Sequence, residues 1–320
     1  MIPALVLTAG LATRLRPLSL VRAKAAMPVG GEPIIRRILR TLQASGVRDA
    51  VLNLHYLPHT ITRVVGDGSD LDLRVRYSWE MPVLGSAGGP RQALPLLDAR
   101  TFLIVNGDTL TNIDIAALLA EHRRSGALVT MAVVPRVDFA KYGGVLVEPD
   151  GIVTGFTKRG SAASSYHFVG VQMVEAQAFA AIPPGVPAES VSELYPALIA
   201  SLRGSVCAHV CRAEFFDIGT PGDYLQTSLL LAPRESSAPA HGARARIDTT
   251  AHVEESILWD DVEVEAGSSL RRCIVADGVR VPAGTSWVGV TLRRAESEPA
   301  SGEKLIDGLA VGSIAQRSTK

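Results

Sequence analysis

The sequence predicts an α/β protein, a mostly parallel sheet flanked by helices, followed by a short parallel β-helix. Three observations predict it. Apolar runs of strand length take turns with amphipathic runs of helix length from Ile2 to about residue 135. The first strand runs straight into a turn of small residues that includes a glycine. Beyond residue 250 the apolar period becomes five and six residues, and one block lies over its successor at a fixed offset.

Ile2, Ala4, Leu5, Val6 and Leu7 carry no charge on either face, as a strand buried in mid-sheet requires. Glu32 to Ser45 puts Ile34, Ile35, Ile38, Leu39 and Leu42 on one helical face and Arg36, Arg37 and Arg40 on the other, with Pro33 to start it and Gly46 to stop it. Val47 to Leu54 reads as a second buried strand, Leu57 to Val65 as a short helix and Leu73 to Trp79 as an alternating strand. The rhythm continues through Ala87 to Leu97, Thr101 to Val105, Ile113 to Arg123 and Leu128 to Val134. Ligands of such sheets sit at the carboxyl ends of the strands.

Around residue 135 the pattern changes to hairpins. Tyr142 to Val147 and Ile152 to Phe156 are joined by the turn Glu148-Pro149-Asp150-Gly151. Ser190 to Leu202 is an amphipathic helix, Val206 to Val210 a strand, and Pro221 opens a helix running through Leu230. Residues 233–250, rich in Ala, Pro, Ser and Arg, read as a linker between a catalytic domain (1–232) and a β-helix (251–293), with 294–320 as a tail. Val253 to Ser269 lies over Leu270 to Ser286 with seven identical pairs, including Asp260/Asp277 and Val264/Val281. Val253, Leu258, Val264, Leu270, Val275, Val281 and Trp287 then mark three short strands per turn, in about two and a half coils.

Lys plus Arg equals Asp plus Glu at 32 each, so no global field favours nucleic acid or a membrane surface. No run reaches the roughly twenty apolar residues of a membrane span. Cys207, Cys211 and Cys273 lack zinc-type pairing, so reduced thiols in a cytoplasmic protein are expected. The partner must be bound locally.

The stretch from Leu5 to Pro33 offers the strongest local chemistry. Thr8 to Thr13 are small enough for backbone amides to approach an anion, and Arg14, Arg16, Arg22 and Lys24 follow within eleven residues, a charge that suits a polyphosphate. Gly10, Ala12 and Leu15 occupy the places where a dinucleotide fingerprint needs glycine, and no Gly-Lys-Ser/Thr opens a helix. Asp108 follows a buried strand at the ligand edge, where a hard cation or a simple turn is equally compatible with the residues. Leu84 to Gly89 and Asp217 read, taken alone, as turns, as does Gly66 to Asp72, which lacks the ligand alternation of a calcium loop. The histidines make no zinc pair, and Gly85-Ser86-Ala87-Gly88 has the wrong spacing for a hydrolase elbow.

Ala9-Gly10, Thr13-Arg14-Leu15, Pro17-Leu18, Lys24, Met27-Pro28-Val29 and Gly31-x-Pro33 together resemble the signature of the sugar-1-phosphate nucleotidyltransferases, also called NDP-sugar pyrophosphorylases. Leu84 to Gly89, Asn106-Gly107-Asp108, Lys158 and Asp217-Ile218-Gly219-Thr220-Pro221-x-Asp223-Tyr224 match further motifs of that family. The glycine-rich loop with a β-helix tail is similar to mannose-1-phosphate guanylyltransferases, while the first two-thirds also resembles uridylyltransferases acting on amino sugars. The resemblance implies a Rossmann-like catalytic domain, a left-handed β-helix, Mg2+ as cofactor, and an NTP and a sugar 1-phosphate as partners.

By the same resemblance, Arg14, Lys24, Asp108 and Asp217 are the catalytic residues, with Asp108 and Asp217 on the metal. Leu7, Ala9, Gly10, Ala12, Thr13, Gly85, Ser86 and Gly88 join Arg14, Lys24 and Asp108 around the nucleotide. Gly143, Lys158 and Val169 meet the sugar phosphate. The chain departs from the family at Ala12 (usually Gly), Ala23 and Ala25 (Pro), Thr157 (Glu) and Phe168 (Asn). Those departures leave a second expectation open, a catalytically silent nucleotide-sugar-binding subunit. The β-helix, with His252 as its one candidate base, is expected to serve assembly of a homo-oligomer or coil capping.

Overall fold

The computed structural model describes residues 2–135, 138, 140–232, 241–295 and 299–314. It divides into two compact units, residues 1–10 with 36–216, and residues 11–35 with 217–320. Residues 233–240 of the expected linker (233–250), and residues 296–298 and 315–320 of the expected tail (294–320), lie outside the described residues.

The first unit is built on one nine-stranded sheet. Thr101–Asn106, Ala4–Leu7, Asp49–Leu54 and Arg74–Trp79 form its parallel block in that order. Ala4, Leu5 and Val6 are wholly buried at its centre, as their uninterrupted apolar run requires. Tyr166–Glu175 then runs antiparallel to Thr101–Asn106, and on its far side pairs with both Val129–Pro135 and the Gly144–Val147/Val153–Thr157 hairpin. The sheet is therefore mixed, with a parallel block and an antiparallel wing. Gly85–Leu97 packs on Ala4–Leu7, Asp49–Leu54 and Arg74–Trp79, and Ile115–Ser125, capped by the Asp114 side chain, packs on Val129–Pro135, Tyr166–Glu175 and Val206–Val210.

Ser190 to Leu202 is not one regular helix. Ser190–Leu194 is a π turn and Tyr195–Ser201 an α-helix. Pro196 has no N–H to offer and sits in the first turn of the α segment, while the Leu194 amide reaches back five residues to the Glu189 carbonyl.

In the second unit, three parallel ladders stack with a seventeen-residue offset: Arg246–Ile247, Glu263–Val264 and Arg280–Val281; His252–Glu254, Ser269–Arg271 and Ser286–Val288; Ile257–Leu258, Ile274–Val275 and Val290–Arg294. Leu258, Val264, Leu270, Val275 and Val281 fill the coil, and Val253 and Trp287 close its ends only partly buried. Coil pairing already begins inside the stretch read as a linker. The Gly242 amide donates to the Leu258 carbonyl, and Arg246–Ile247 takes its place in the first ladder. Small and polar residues masked the seventeen-residue register there, although Ile247, Val264 and Val281 keep it.

Past the last coil, Leu309–Ser313 pairs antiparallel with Val290–Arg294 and with Glu303–Ile306. The buried Arg293 guanidinium bonds both Glu303 carboxylate oxygens, so this hairpin seals the open end of the coil stack.

Candidate active site

In the first unit, the site is laid out by where the parallel strands stop. Leu7 is level with Asn53 on one neighbour and with Asn106 on the other, so the chain leaves the sheet there and Thr8, Ala9 and Gly10 make the turn. Thr8 and Ala9 are buried, whereas Gly10 is exposed with open space around it. The Thr8 amide donates to Asn53 Oδ1 at 2.6 Å, and the Thr8 hydroxyl donates to the Asn53 carbonyl. Asn53 Nδ2 donates in turn to Glu80 Oε1 at 2.7 Å, while Glu80 Oε2 accepts the Leu84 amide at 2.8 Å. Glu80 is only 3% exposed. One buried carboxylate thus joins the turn after the first strand to the start of the Leu84–Gly89 loop.

That loop is closed from a second side. A Cβ on Gly85, whose φ is +75°, would meet Glu189 Oε1 at 2.6 Å and the Ala188 carbonyl at 2.7 Å, so only glycine fits. Ser86 Oγ donates to Glu189 Oε2 at 2.6 Å and accepts the Ser190 amide at 2.8 Å. The Ala87 and Gly88 amides both donate to the Ala188 carbonyl. Residues 188–190 therefore occupy much of the free hydrogen-bonding capacity at this helix start. Neither Glu80 nor Glu189 stands out in the sequence, because the partner of each lies far away in the chain.

Asp108 reaches the same edge by a crossing that requires glycine. A Cβ on Gly107 would lie 2.6 Å from the Leu7 carbonyl and 2.7 Å from Thr8 Cγ2, and the Gly107 amide donates to that same Leu7 carbonyl. The strand end is pressed against the first turn, and half-buried Asp108 emerges beside it, accepting the Thr109 hydroxyl at 3.2 Å. From the other flank, Gly170, with φ +76°, leaves room for the Asn106 side chain.

The sugar-phosphate candidates fare unequally. Lys158 is exposed at the end of Val153–Thr157, and the Thr157 hydroxyl accepts the Gly144 amide at 3.0 Å. Gly143 is exposed beside it, close enough that a Cβ would meet the Thr157 carbonyl. Val169 is wholly buried, so its side chain packs in the core and cannot touch a substrate; only its backbone remains for that role. Phe168, at the position where the family carries asparagine, also packs against the core cluster. A cluster of Tyr142, His167 and Phe215, with ring centroids 4.4 to 5.7 Å apart, stands next to Gly143 in sequence and was not anticipated.

In the second unit, the signature residues fold as three short 3₁₀ turns, Thr13–Leu15, Leu18–Leu20 and Lys24–Ala26. Ala12 caps the first in a left-handed conformation, φ 46°, a geometry that glycine adopts more readily. Thr13, Arg14 and Arg16 are exposed and Lys24 is half-buried. Arg22 departs from the expectation of four cations facing a ligand. It is 9% exposed, and its guanidinium is paired with Asp260 and Asp277.

Asp217 ends the Phe215–Asp217 strand, followed by buried Ile218 and by Gly219, whose absent Cβ leaves space 3.2 Å from both Asp217 Oδ2 and Asp223 Oδ2. Thr220 Oγ1 accepts the Asp223 amide and caps Pro221–Leu231, with Pro221 in the first turn. Thr220, Pro221 and Asp223 of this string each have a local reason.

A mixed sheet whose central strands end at glycine-bearing crossings, in one unit, and a parallel β-helix with a seventeen-residue repeat, in the other, are the two parts expected of a nucleotidyltransferase. Residues 3–233 match the nucleotidyl transferase family and residues 240–299 the GlmU-like, C-terminal hexapeptide family, so the chain belongs to the nucleotidyl transferases and carries a left-handed β-helix. Its curated relatives are sugar-1-phosphate nucleotidyltransferases. It is 30% identical over 294 residues to a mannose-1-phosphate guanylyltransferase of Mycobacterium tuberculosis, spanning 88% of this chain and 82% of the relative. A UTP–glucose-1-phosphate uridylyltransferase of Synechocystis is 27% identical, spanning 89% and 78%. An N-acetylmuramate alpha-1-phosphate uridylyltransferase of Neisseria meningitidis is 33% identical over 226 residues, spanning 68% of this chain and 93% of its own. In fold, the chain resembles HddC from Yersinia pseudotuberculosis, with a TM-score of 0.64 at 23% identity, over 72% of this chain and 100% of that one.

Proposed function

We propose that the protein transfers a nucleotidyl group from GTP to mannose 1-phosphate, giving GDP-mannose and pyrophosphate. A phosphate oxygen of the sugar phosphate attacks the α-phosphorus, and the bond to the departing pyrophosphate breaks. The nucleophile is already an anion, so no covalent enzyme intermediate is needed. The observation that carries this reading is the 30% identity to the mycobacterial guanylyltransferase, which extends over catalytic part and β-helix together. A structure of HddC complexed with GMP-PN adds support for a guanine nucleotide in this fold.

Asp108 and Asp217 are the proposed magnesium carboxylates. Each offers only hard oxygen donors, and carboxylate oxygens suit magnesium, which keeps waters and phosphate oxygens in its shell. Bound there, magnesium would offset the repulsion between two polyanions. Arg14 and Lys24 are assigned to the triphosphate and the departing pyrophosphate, and Lys158 to the sugar phosphate. The turn Leu7, Ala9 and Gly10 with Ala12 and Thr13, and the loop of Gly85, Ser86 and Gly88, shape the nucleotide pocket. Gly143 and the Val169 backbone border the sugar. No described helix is long and apolar enough to cross a membrane; the location we propose is the cytoplasm.

The test is pyrophosphate release with magnesium, using GTP, UTP, dTTP, ATP and CTP in turn against a panel of sugar 1-phosphates. Turnover highest with GTP and mannose 1-phosphate is expected. Preference for UTP would move the assignment toward the uridylyltransferase relatives. Absence of turnover across the panel, with nucleotide-sugar binding intact by calorimetry, would replace it with a silent binding subunit.

A further inference from the structure

Arg22 and Lys24 lie two residues apart in the signature segment, yet the structure gives them different surroundings. Arg22 Nε and Nη2 make a two-pronged pair with Asp277, each at 2.6 Å, and Nη2 also reaches Asp260 Oδ2 at 2.6 Å. Nη1 bonds back to the Ala26 carbonyl at 3.4 Å, and the guanidinium lies 5.3 Å from the centroid of the Trp259 ring. Asp260 and Asp277 occupy the same position in successive coils, one of the seven repeated identities, so Arg22 bridges two coils at once.

A second anchor lies downstream. Tyr224, wholly buried, donates its hydroxyl to the Pro28 carbonyl and accepts Trp259 Nε1 at 2.9 Å. The segment from Arg22 to Pro28 is therefore held at both ends by the corner Trp259-Asp260 and its neighbour Asp277, and Lys24 sits between the two anchors.

We propose that Arg22 is a positioning residue through which the β-helix holds Lys24 and its turn in place. This deepens the proposed transferase reading and rests on it for the catalytic consequence alone. A planar fork facing carboxylates fixes orientation as well as charge, and a lysine at the same place would keep only the charge. The two carboxylates are themselves tied down, Asp260 by the Ala243 amide and Asp277 by the Asp260 amide, so the clasp has a rigid base. Burial pushes the Asp277 carboxyl above the ordinary carboxylate range, and Arg22 is the main group pulling against it. The tail of this enzyme thus does more than cap itself. It forms the floor on which the phosphate-binding turn rests.

The test uses the full chain with three changes: Arg22→Gln, Arg22→Lys, and Arg22→Gln combined with Asp277→Asn. Hydrogen exchange of the Ala26 and Met27 amides, which bond the Ala23 and Lys24 carbonyls, reads the turn directly. Exchange faster by about tenfold or more is expected in all three, with the strand amides of Leu5 to Leu7 unchanged. Turnover falls by about ten- to a hundredfold while KM for the sugar phosphate changes little, the scale of a small misplacement of a reacting group. The double change removes the charge of half-buried Asp277, while Asp260 keeps its bond from the Ala243 amide, so the thermal midpoint recovers part of the way toward wild type but exchange and kcat do not. That split separates positioning from simple stability. Should Arg22→Gln fail to fold, Arg22→Lys decides the matter. Wild-type exchange and kcat in a folded variant would overturn the proposal. If the wild type itself turns over no substrate pair, the transferase reading fails while the exchange result still decides whether the clasp holds the turn.

Discussion

Glu80→Gln changes one atom and leaves shape intact, which makes its consequence calculable. The chain of hydrogen bonds begins and ends on backbone amides: Thr8 N–H to Asn53 Oδ1, Asn53 Nδ2 to Glu80 Oε1, and Leu84 N–H to Glu80 Oε2. Both ends are fixed donors, so residue 80 must accept twice. Glutamine accepts once, and its amide turns a donor toward either Asn53 Nδ2 or the Leu84 amide. Flipping Asn53 does not help, because its own NH2 would then face Thr8. A lost charge-assisted bond in a site this buried costs on the order of 3 kcal/mol. At about 2–4 °C per kcal/mol for a unit of this size, the thermal midpoint falls by roughly 6–12 °C. The check is built into the chemistry. Asn53→Asp alone sets two carboxylates against each other and destabilises further, but combined with Glu80→Gln it restores every donor to an acceptor. The double variant therefore recovers most of the loss, a coupling of about 2 kcal/mol. Thermal unfolding followed by circular dichroism reads all four proteins. A Glu80→Gln midpoint within about 1 °C of wild type, or a double variant no better than that single, would refute the reasoning.

Gly107→Ala forces a Cβ to within 2.6 Å of the Leu7 carbonyl in the central strand, which cannot step aside, so a loss of about 1–3 kcal/mol in stability accompanies a larger fall in turnover as Asp108 is displaced; equal activity in a folded Gly107→Ala protein would show that the crossing does not position Asp108. Asp217→Asn is expected to keep the fold and cut turnover by on the order of a hundredfold or more, with a rightward shift in the magnesium dependence, and near-normal turnover would remove the metal assignment. His122 is held neutral by burial, which outweighs the opposing pull of Glu175, so its folded pKa lies below the ordinary 6.5. The stability it contributes is present above that value and drains away as pH falls through the lowered folded pKa. The thermal midpoint of wild type should drop between pH 8 and pH 5 more steeply than that of His122→Gln, and parallel profiles would dismiss His122 as the source.

The sequence made the site legible wherever the reason for a residue is local. Pro221 and Thr220 start a helix and Asp217 ends a strand; each role needs only its neighbours. What it hid are partners chosen across the chain. Asn53 finds Thr8 at a separation of 45 residues, Ser86 finds Glu189 at 103, and Arg22 finds Asp277 at 255. Nothing in composition or period marks such acids and amides, since a buried carboxylate and a solvated one look alike in a polar run. Arg22 illustrates the error this causes, for its charge was counted toward a ligand and is taken up by the β-helix. Irregular geometry was equally hidden: the π turn at Ser190–Leu194 follows from a proline whose effect on the preceding turn depends on packing.

The departures from the family pattern bear on whether the site turns over. Ala12 adopts the left-handed geometry that glycine would take freely, at a cost of about 1–2 kcal/mol, so the turn keeps its shape despite the substitution. Thr157 uses its hydroxyl to hold the Gly144 amide, which keeps the hairpin end closed beside Lys158 without the family's glutamate. Phe168 turns into the core and forfeits the asparagine contact altogether, while Tyr142, His167 and Phe215 gather nearby. Of the five departures, those at Ala12 and Thr157 thus preserve the backbone beside the residues assigned to the phosphates, and that at Phe168 alters the region assigned to the sugar. That distribution is what a shift in sugar preference would produce. Loss of catalysis would instead remove the groups assigned by proposal to phosphate and metal, yet Arg14, Lys24, Asp108, Lys158 and Asp217 are all present.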